Sequence, residues 1–520
     1  MKNFILKINR GLAAKKKIFL LLTAVLTAGM LSAETIYGDC GTNMEWEFNT
    51  GSGALYLIGT GPMDDYTSFS KTPWAQYGDQ IKSIQTDSRS QYTTIGEYAF
   101  SDCANLESVE LPNSVTDIKQ RAFRRCKALT SVSLSSSLKN IDQYAFSHCS
   151  SLAGLTIPGT VEAIGDFAFY ACEELTAITI PAGVQTIGED AFGSCAKLTG
   201  IQVYNANANY SAVDGVLYNK QKTILCQFPA GKTGSFTVPG SVTEIADYAF
   251  DGCTGLTSIT IPNSVTSLGN YAFDGCTGLT SVSMGNGVTS IGAGAFDYCT
   301  GLTSITIPNS VTSIELGAFY GCIRLTDLTI PASVISIGEG AFAYNKLTSI
   351  VVDGENTVYD SRDNCNAIIE TATNTLIAGC KNTIIPSNIT GIDGNAFHGC
   401  SGLTSITIPN SVTSIEGYAF YYCVGLESIT CKAVNPPALG EDVFYDVNTT
   451  IPLYVPEESI SAYQAAEQWK EFDVQADPTE AIEEVSDQHS AVSSQKVLRH
   501  GRLLIESGDR TYDALGAEVK

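Results

Sequence analysis

Histidine is scarce, basic residues are heavily outnumbered, and past residue 30 no long apolar run occurs. Each shortage removes a class of function. The four histidines, His148, His398, His489 and His500, stand far apart, and none has a Cys or Glu at metal-ligand spacing. Neither a zinc centre nor a His-based catalytic pair is indicated. Lys and Arg total 30 against 54 Asp and Glu, and a chain this acidic repels nucleic acid and anionic membranes. Gly354, Gly391 and Gly394 form no phosphate loop. Beyond the N-terminal segment nothing approaches the roughly 20 apolar residues of a membrane-spanning helix.

That segment, residues 1–33, places Lys15, Lys16 and Lys17 before an apolar run from Ile18 to Met30 and ends Leu31-Ser32-Ala33. It reads as a signal peptide. Its removal leaves 24 basic against 54 acidic residues, a net charge of −30, which keeps a Thr- and Ile-rich chain soluble. No Cys follows Ala33 to take a lipid, and no membrane insertion is expected after cleavage.

What is abundant is repetition. Ala-Phe recurs with Phe at 100, 123, 146, 169 and 192, then at 250, 273, 296, 319 and 342, then at 397 and 420, stepping by 23 residues within each block. In one unit Leu256, Ile259, Ile261, Val265, Leu268, Ala272, Phe273 and Cys276 are the apolar positions. The alternation around Ile259-Thr260-Ile261, closed by Pro262, reads as a short strand and turn. One coil has too few apolar side chains for a core, but stacked coils place Ile on Ile and Phe on Phe. The expected fold is a repeat solenoid of about 12–13 coils of 23 residues, with a parallel sheet on one face and short strands and turns on the other. Counting a degenerate last unit at Phe444, the sheet would run for roughly 60 Å.

Eleven of the 16 cysteines lie three residues after Phe, at 103, 126, 149, 172, 195, 253, 276, 299, 322, 400 and 423. In a stack they form a column of small buried side chains with poor disulfide geometry. Asn345 stands in the same place in a unit one residue short, where an irregularity is expected. Two insertions interrupt the period, near 203–235 and 353–385. The first carries Asp214-Gly215 between β-type residues, a hairpin signal. The second carries Cys365 and Cys380, the better disulfide candidates, and Asp360, Arg362 and Asp363, either a weak cation site or a solvated turn.

The ends differ from the repeat. Residues 34–90 read as a small β cap and 446–475 as a cap made of a strand, Ile451–Val455, and a short helix, Ser461–Trp469. Residues 476–495 read as an acidic linker, and 496–520 contain a small hairpin.

The unit Leu-Thr-Ser-Ile-Thr-Ile-Pro-Asn-Ser-Val-Thr-Ser-Ile followed by Ala-Phe-x-x-Cys resembles the BspA-like class of leucine-rich repeat over residues 91–445. Gly59-Thr-Gly-Pro-Met63-Asp-Asp-Tyr66 and Pro73-Trp74 are similar to the start of such proteins. The resemblance implies a leucine-rich-repeat solenoid at a bacterial cell surface or secreted, attached to host matrix proteins or other cells. The ending Lys496–Lys520 is similar to C-terminal secretion tails of Gram-negative anaerobes, which implies export across the outer membrane.

Chemistry is hard to place on such a chain. No catalytic residue, cofactor or metal site is indicated, and the Arg121, Arg124, Arg125 and Lys127 cluster reads as a charged outer loop or a ligand patch. His148 and His398, in variable positions, read as solvated loop residues. One outward residue lies between the two inward residues of each strand. Thr156, Thr179, Thr260, Ser283, Thr306, Thr329, Thr407 and Thr430 make this a hydroxyl-rich strip, a candidate contact face with the Thr-Ser pairs beside it. The expected function is adhesion or recognition by a monomer, of a protein or glycan on host or neighbouring cells. The alternative is a scaffolding repeat without a defined ligand.

Overall fold

The computed structural model describes residues 34–479 and, by backbone alone, the strands Ser494–Arg499, Arg502–Ser507 and Arg510–Asp513. The signal segment 1–33, linker residues 480–493, His489 and His500 lie outside the described residues. The chain divides into two compact units, 1–164 and 165–520.

The first unit opens with three antiparallel strands, Thr35–Gly41, Met44–Asn49 and Ala54–Pro62. The third strand starts both ladders of the solenoid. Its beginning, residues 54–56, pairs in parallel with Ser83–Gln85, and its end, 59–62, pairs in parallel with Ser90–Ile95. The switch falls at Gly59, whose φ of +116° and whose approach to Asn43 O, 2.0 Å from where a Cβ would stand, admit no side chain. From there one ladder continues through Ser108–Glu110 and Ser131–Ser133. The other runs through Asp117–Ile118, Asn140–Ile141 and Ala163–Ile164.

In the second unit the same two ladders recur. The two-residue strands Glu244–Ile245, Ser267–Leu268, Ser290–Ile291, Ser313–Ile314 and Ser336–Ile337 stack in register, aliphatic on aliphatic throughout and, from Ser267 on, serine on serine. Opposite them lie longer strands such as Leu256–Ile261 and Ser281–Met284, where Thr260 faces Ser283. All eight apolar positions of the 256–276 coil are at most 2% exposed. The third edge of each coil is the Ala-Phe turn, where Phe250 N–H donates to Ala272 O at 2.7 Å and Phe273 N–H to Ala295 O at 2.8 Å. Residues two places before and after Phe take left-handed φ, as at Tyr271 and Tyr298. The tight turn therefore closes the coil with Phe inward.

The Phe column is a stack of rings: Phe250, Phe273, Phe296 and Phe319 follow one another at 4.8, 5.0 and 5.2 Å with interplanar angles of 20° or less. In the first unit Trp74 extends the column, lying on Phe100 at 5.0 Å. At the far end of the second unit Phe444 meets Trp469 and Phe472. Tryptophan thus terminates the stack in each unit, and the solenoid counts about 17 turns in all. That exceeds 12–13 because segments without Ala-Phe also complete the ladders.

Four expectations need amendment. The outer sheet is not continuous, since the coils holding Thr156 and Thr306 form no strand there. The first insertion is a three-stranded antiparallel meander rather than a hairpin, Tyr210–Val213, Val216–Asn219 and Ile224–Gln227, and the second forms another, Tyr359–Asp360, Ala367–Glu370 and Thr375–Gly379. The C-terminal helix is one turn, Ile460–Tyr463, flanked by 3₁₀ turns, and Asp473–Ala476 adds a parallel strand beyond Pro452–Val455. The tail is a three-stranded meander, one strand more than a hairpin.

Candidate binding surfaces

The strand face presents the hydroxyl strip outward. Thr156, Thr260, Ser283, Thr306, Thr329 and Thr407 are exposed, and Thr179 and Thr430 are half-buried. Within the second unit the strip is held in register by pairs Thr260 on Ser283 and Thr407 on Thr430. The flanking threonines behave differently. Thr280 Oγ1 donates to Thr257 O at 3.0 Å and Thr348 Oγ1 to Thr326 O at 3.2 Å, and on the opposite ladder Thr289 and Thr312 donate to the carbonyls of Thr266 and Thr289 at 3.0 and 3.1 Å. Those exposed hydroxyls tie neighbouring coils together. Among the described residues the eight strip hydroxyls make no hydrogen bond to the protein.

The cysteine column is more than small apolar packing. Cys276, Cys299 and Cys322 each point Sγ at the Phe carbonyl of the preceding coil, Phe250, Phe273 and Phe296, at 3.2 Å. In the first unit Cys126 does the same to Phe100 O at 3.1 Å. A thiol is a weak donor of the right length to satisfy a buried carbonyl. Burial pushes the Cys195 and Cys400 thiols up to about 12, which makes them inert. Cys365 and Cys380 are also buried free thiols.

Other candidates resolve into structure. Arg121 lies between the rings of Tyr98 and Tyr144, 5.2 and 5.0 Å from their centroids, and Arg125 approaches Asp102 at 3.6 Å. The basic cluster is therefore partly a cation–π clamp between coils. Asp360 is taken by Arg362 at 2.6 Å. No group of three metal-ligating side chains occurs among the described residues. His148 and His398 are not solvated loop residues: both are half-buried, with Nδ1 against Ser147 Oγ and Asn395 Oδ1 at 2.8 Å.

Two features of the turn face were not anticipated. Asp251, Asp274 and Asp297 each follow a column phenylalanine, and Asp190 sits beside them. Asp190 is 3% exposed with neither carboxylate oxygen hydrogen-bonded. Burial, reinforced by Asp251, holds its carboxyl well above the usual range. Burial raises Asp251 to about 7 although Ser194 Oγ donates to it at 2.7 Å, and raises Asp274 to about 6 and Asp297 to about 7.

Further along the same turn positions the carboxylates give way to rings. Tyr320 stacks on Tyr344 at 5.8 Å, His398 packs edge-on against both, and Tyr421 joins His398 at 5.1 Å and Tyr445 at 4.8 Å. Tyr298, Tyr344, Tyr422 and Tyr445 are exposed. The signal available in the sequence was the alternation Tyr298, Gly321, Tyr344, Gly399, Tyr422 two places after Phe. Each glycine makes room for the preceding tyrosine, an added Cβ at Gly399 falling 2.2 Å from Tyr344 Cδ2.

Two stacked parallel ladders, a phenylalanine column and a closing turn define a leucine-rich-repeat solenoid. The profile of the BspA type leucine rich repeat region matches residues 76–211, 228–361 and 375–466 in 6 copies. The chain belongs to the BspA type leucine-rich-repeat family. No curated protein matches it. Among solved structures it is similar to a leucine-rich repeat protein of Eubacterium ventriosum, at 29% identity and TM-score 0.49, over 61% of this chain and 96% of that one. It is also similar to a leucine rich cell surface protein of Faecalibacterium prausnitzii, at 24% identity and TM-score 0.40, over 77% and 95%. No described helix is long and apolar enough to cross a membrane.

Proposed function

We propose that this chain is a secreted or cell-surface recognition protein that adheres to a protein or glycan on host or neighbouring cells through its extended strand face. The observation that supports this reading is the division of labour among hydroxyls: the flanking Thr280 and Thr348 bond between coils, while the central strip of Thr260, Thr306 and Thr329 stays outward and unengaged. Extended faces of solenoids suit extended partners.

The test is binding of the full chain to an array of matrix proteins, mucins and bacterial surface glycans, with a salt titration on each saturable response. Saturable binding that changes little with salt is expected for a strip with few charges. A blank array would favour a scaffolding role instead.

A further inference from the structure

The coil that lacks a cysteine interrupts the column with a polar side chain. Asn345 stands between Cys322 and Cys400 in the stack, because Tyr344 N–H donates to His398 O at 2.7 Å directly across the second insertion. Its amide nitrogen donates inward twice, to Phe319 O at 3.0 Å and Phe342 O at 2.9 Å. Two carbonyl acceptors fix that edge as nitrogen. The other edge, Oδ1, has no hydrogen-bond partner although the residue is only 6% exposed. A buried acceptor without a donor marks a place for a held water or ligand group.

Asn345 lines a pocket of about 290 Å³ with Tyr344, Tyr422, Ile323, Val424 and Lys346. Tyr344, Tyr422 and Val424 are all exposed, an apolar rim of a kind that soluble surfaces keep for contacts.

We infer that this pocket is a subsite for one neutral pyranose unit of a glycan, whose C–H face lies on Tyr344 and Tyr422 and whose hydroxyl donates to Asn345 Oδ1. The occupant must bring a hydrogen-bond donor, which excludes an aliphatic side chain. It must also be neutral or anionic, because no carboxylate lines the pocket and Lys346 stands beside it. A sugar ring supplies a neutral donor and an apolar face in one unit. The contiguous rings of Tyr320, His398, Tyr421 and Tyr445 offer platforms for neighbouring sugars. This site is separate from the strand face, and either reading stands or falls without the other.

The experiment is saturation-transfer NMR and calorimetric titration of the full chain with the methyl β-glycosides of glucose, galactose and N-acetylglucosamine, and with a lysine-containing peptide. At least one glycoside is expected to saturate with a Kd on the order of 1 mM. Asn345→Cys restores the ordinary column residue, so it folds as its neighbours do while removing the orphan acceptor; it should weaken binding about tenfold. Tyr422→Ala, at an exposed position, should weaken it as much. The assignment is overturned if no glycoside saturates, if only the peptide binds, or if Asn345→Cys binds like the parent chain.

Discussion

Replacing Asp251 by Asn should stabilise the protein at pH 8 and leave it almost unaffected near pH 4. Asp251 is 5% exposed, and burial lifts its carboxyl from an ordinary 3.8 to about 7. A group whose folded pKa exceeds its unfolded pKa keeps its proton longer when folded, so stability is greatest below the unfolded value and is lost as the pH rises through the folded one. The window here is pH 4 to 7. Each tenfold in proton affinity corresponds to about 1.4 kcal/mol, so the ionised Asp251 costs at most about 4 kcal/mol at pH 8. Asparagine carries no charge and retains the oxygen that accepts the Ser194 hydroxyl, now at 2.7 Å. Urea unfolding followed by far-ultraviolet circular dichroism at pH 4.5, 6 and 8 would measure this. The expected result is a midpoint gain for Asp251→Asn that grows with pH, and a shallower pH dependence than the parent. A variant less stable than the parent at pH 8 would refute the reasoning.

Phe296→Ala removes a ring stacked at 5.0 and 5.2 Å between Phe273 and Phe319, and should cost about 3–5 kcal/mol in urea unfolding. Arg121→Ala should destabilise the first unit by about 1 kcal/mol, measured the same way, by unclamping Tyr98 and Tyr144. Iodoacetamide at pH 8 should leave the buried column cysteines unlabelled in the native chain and reach at most the half-buried Cys226, whereas urea should release them all to modification. Mass spectrometry of the labelled peptides reads the difference.

The fold is legible because the period is long and regular enough for burial to be read from spacing alone. Ile259, Ile261, Phe273 and Cys276 announce their inward positions by recurring, and the structure buries each of them. What spacing does not carry is the hydrogen bonding that singles out one polar residue from another of the same type. Thr260 and Thr280 look alike in the repeat, yet one is outward and unengaged while the other bonds to Thr257 O. Cysteine recurs as if it were a small apolar residue, but its Sγ answers a carbonyl, and the Asn345 replacement makes sense only in that light, since its amide reaches the equivalent Phe319 O. The aromatic ledge was hidden because Tyr344 stands two places after its Phe and His398 and Tyr421 one place after theirs, and the three meet only when coils stack. The insertions carry a shared device that their sequences barely share. Asn207 and Asn356 each donate Nδ2 to two carbonyls of the preceding coil and accept from the backbone that opens the meander. Residues 154–157 and 303–307 have the right alternation but form no strand, for want of ladder bonding, which alternation alone does not report.

The most direct test of the proposed recognition face is the affinity of the full chain for its strongest array ligand, compared with a chain carrying Thr260→Glu, Thr306→Glu and Thr329→Glu together. Charges placed along an exposed, unengaged strip leave the stacked core untouched, so the variant should unfold at the parent midpoint. Its affinity should fall by at least about tenfold. Equal affinity in the two chains would contradict the assignment of recognition to the strand face.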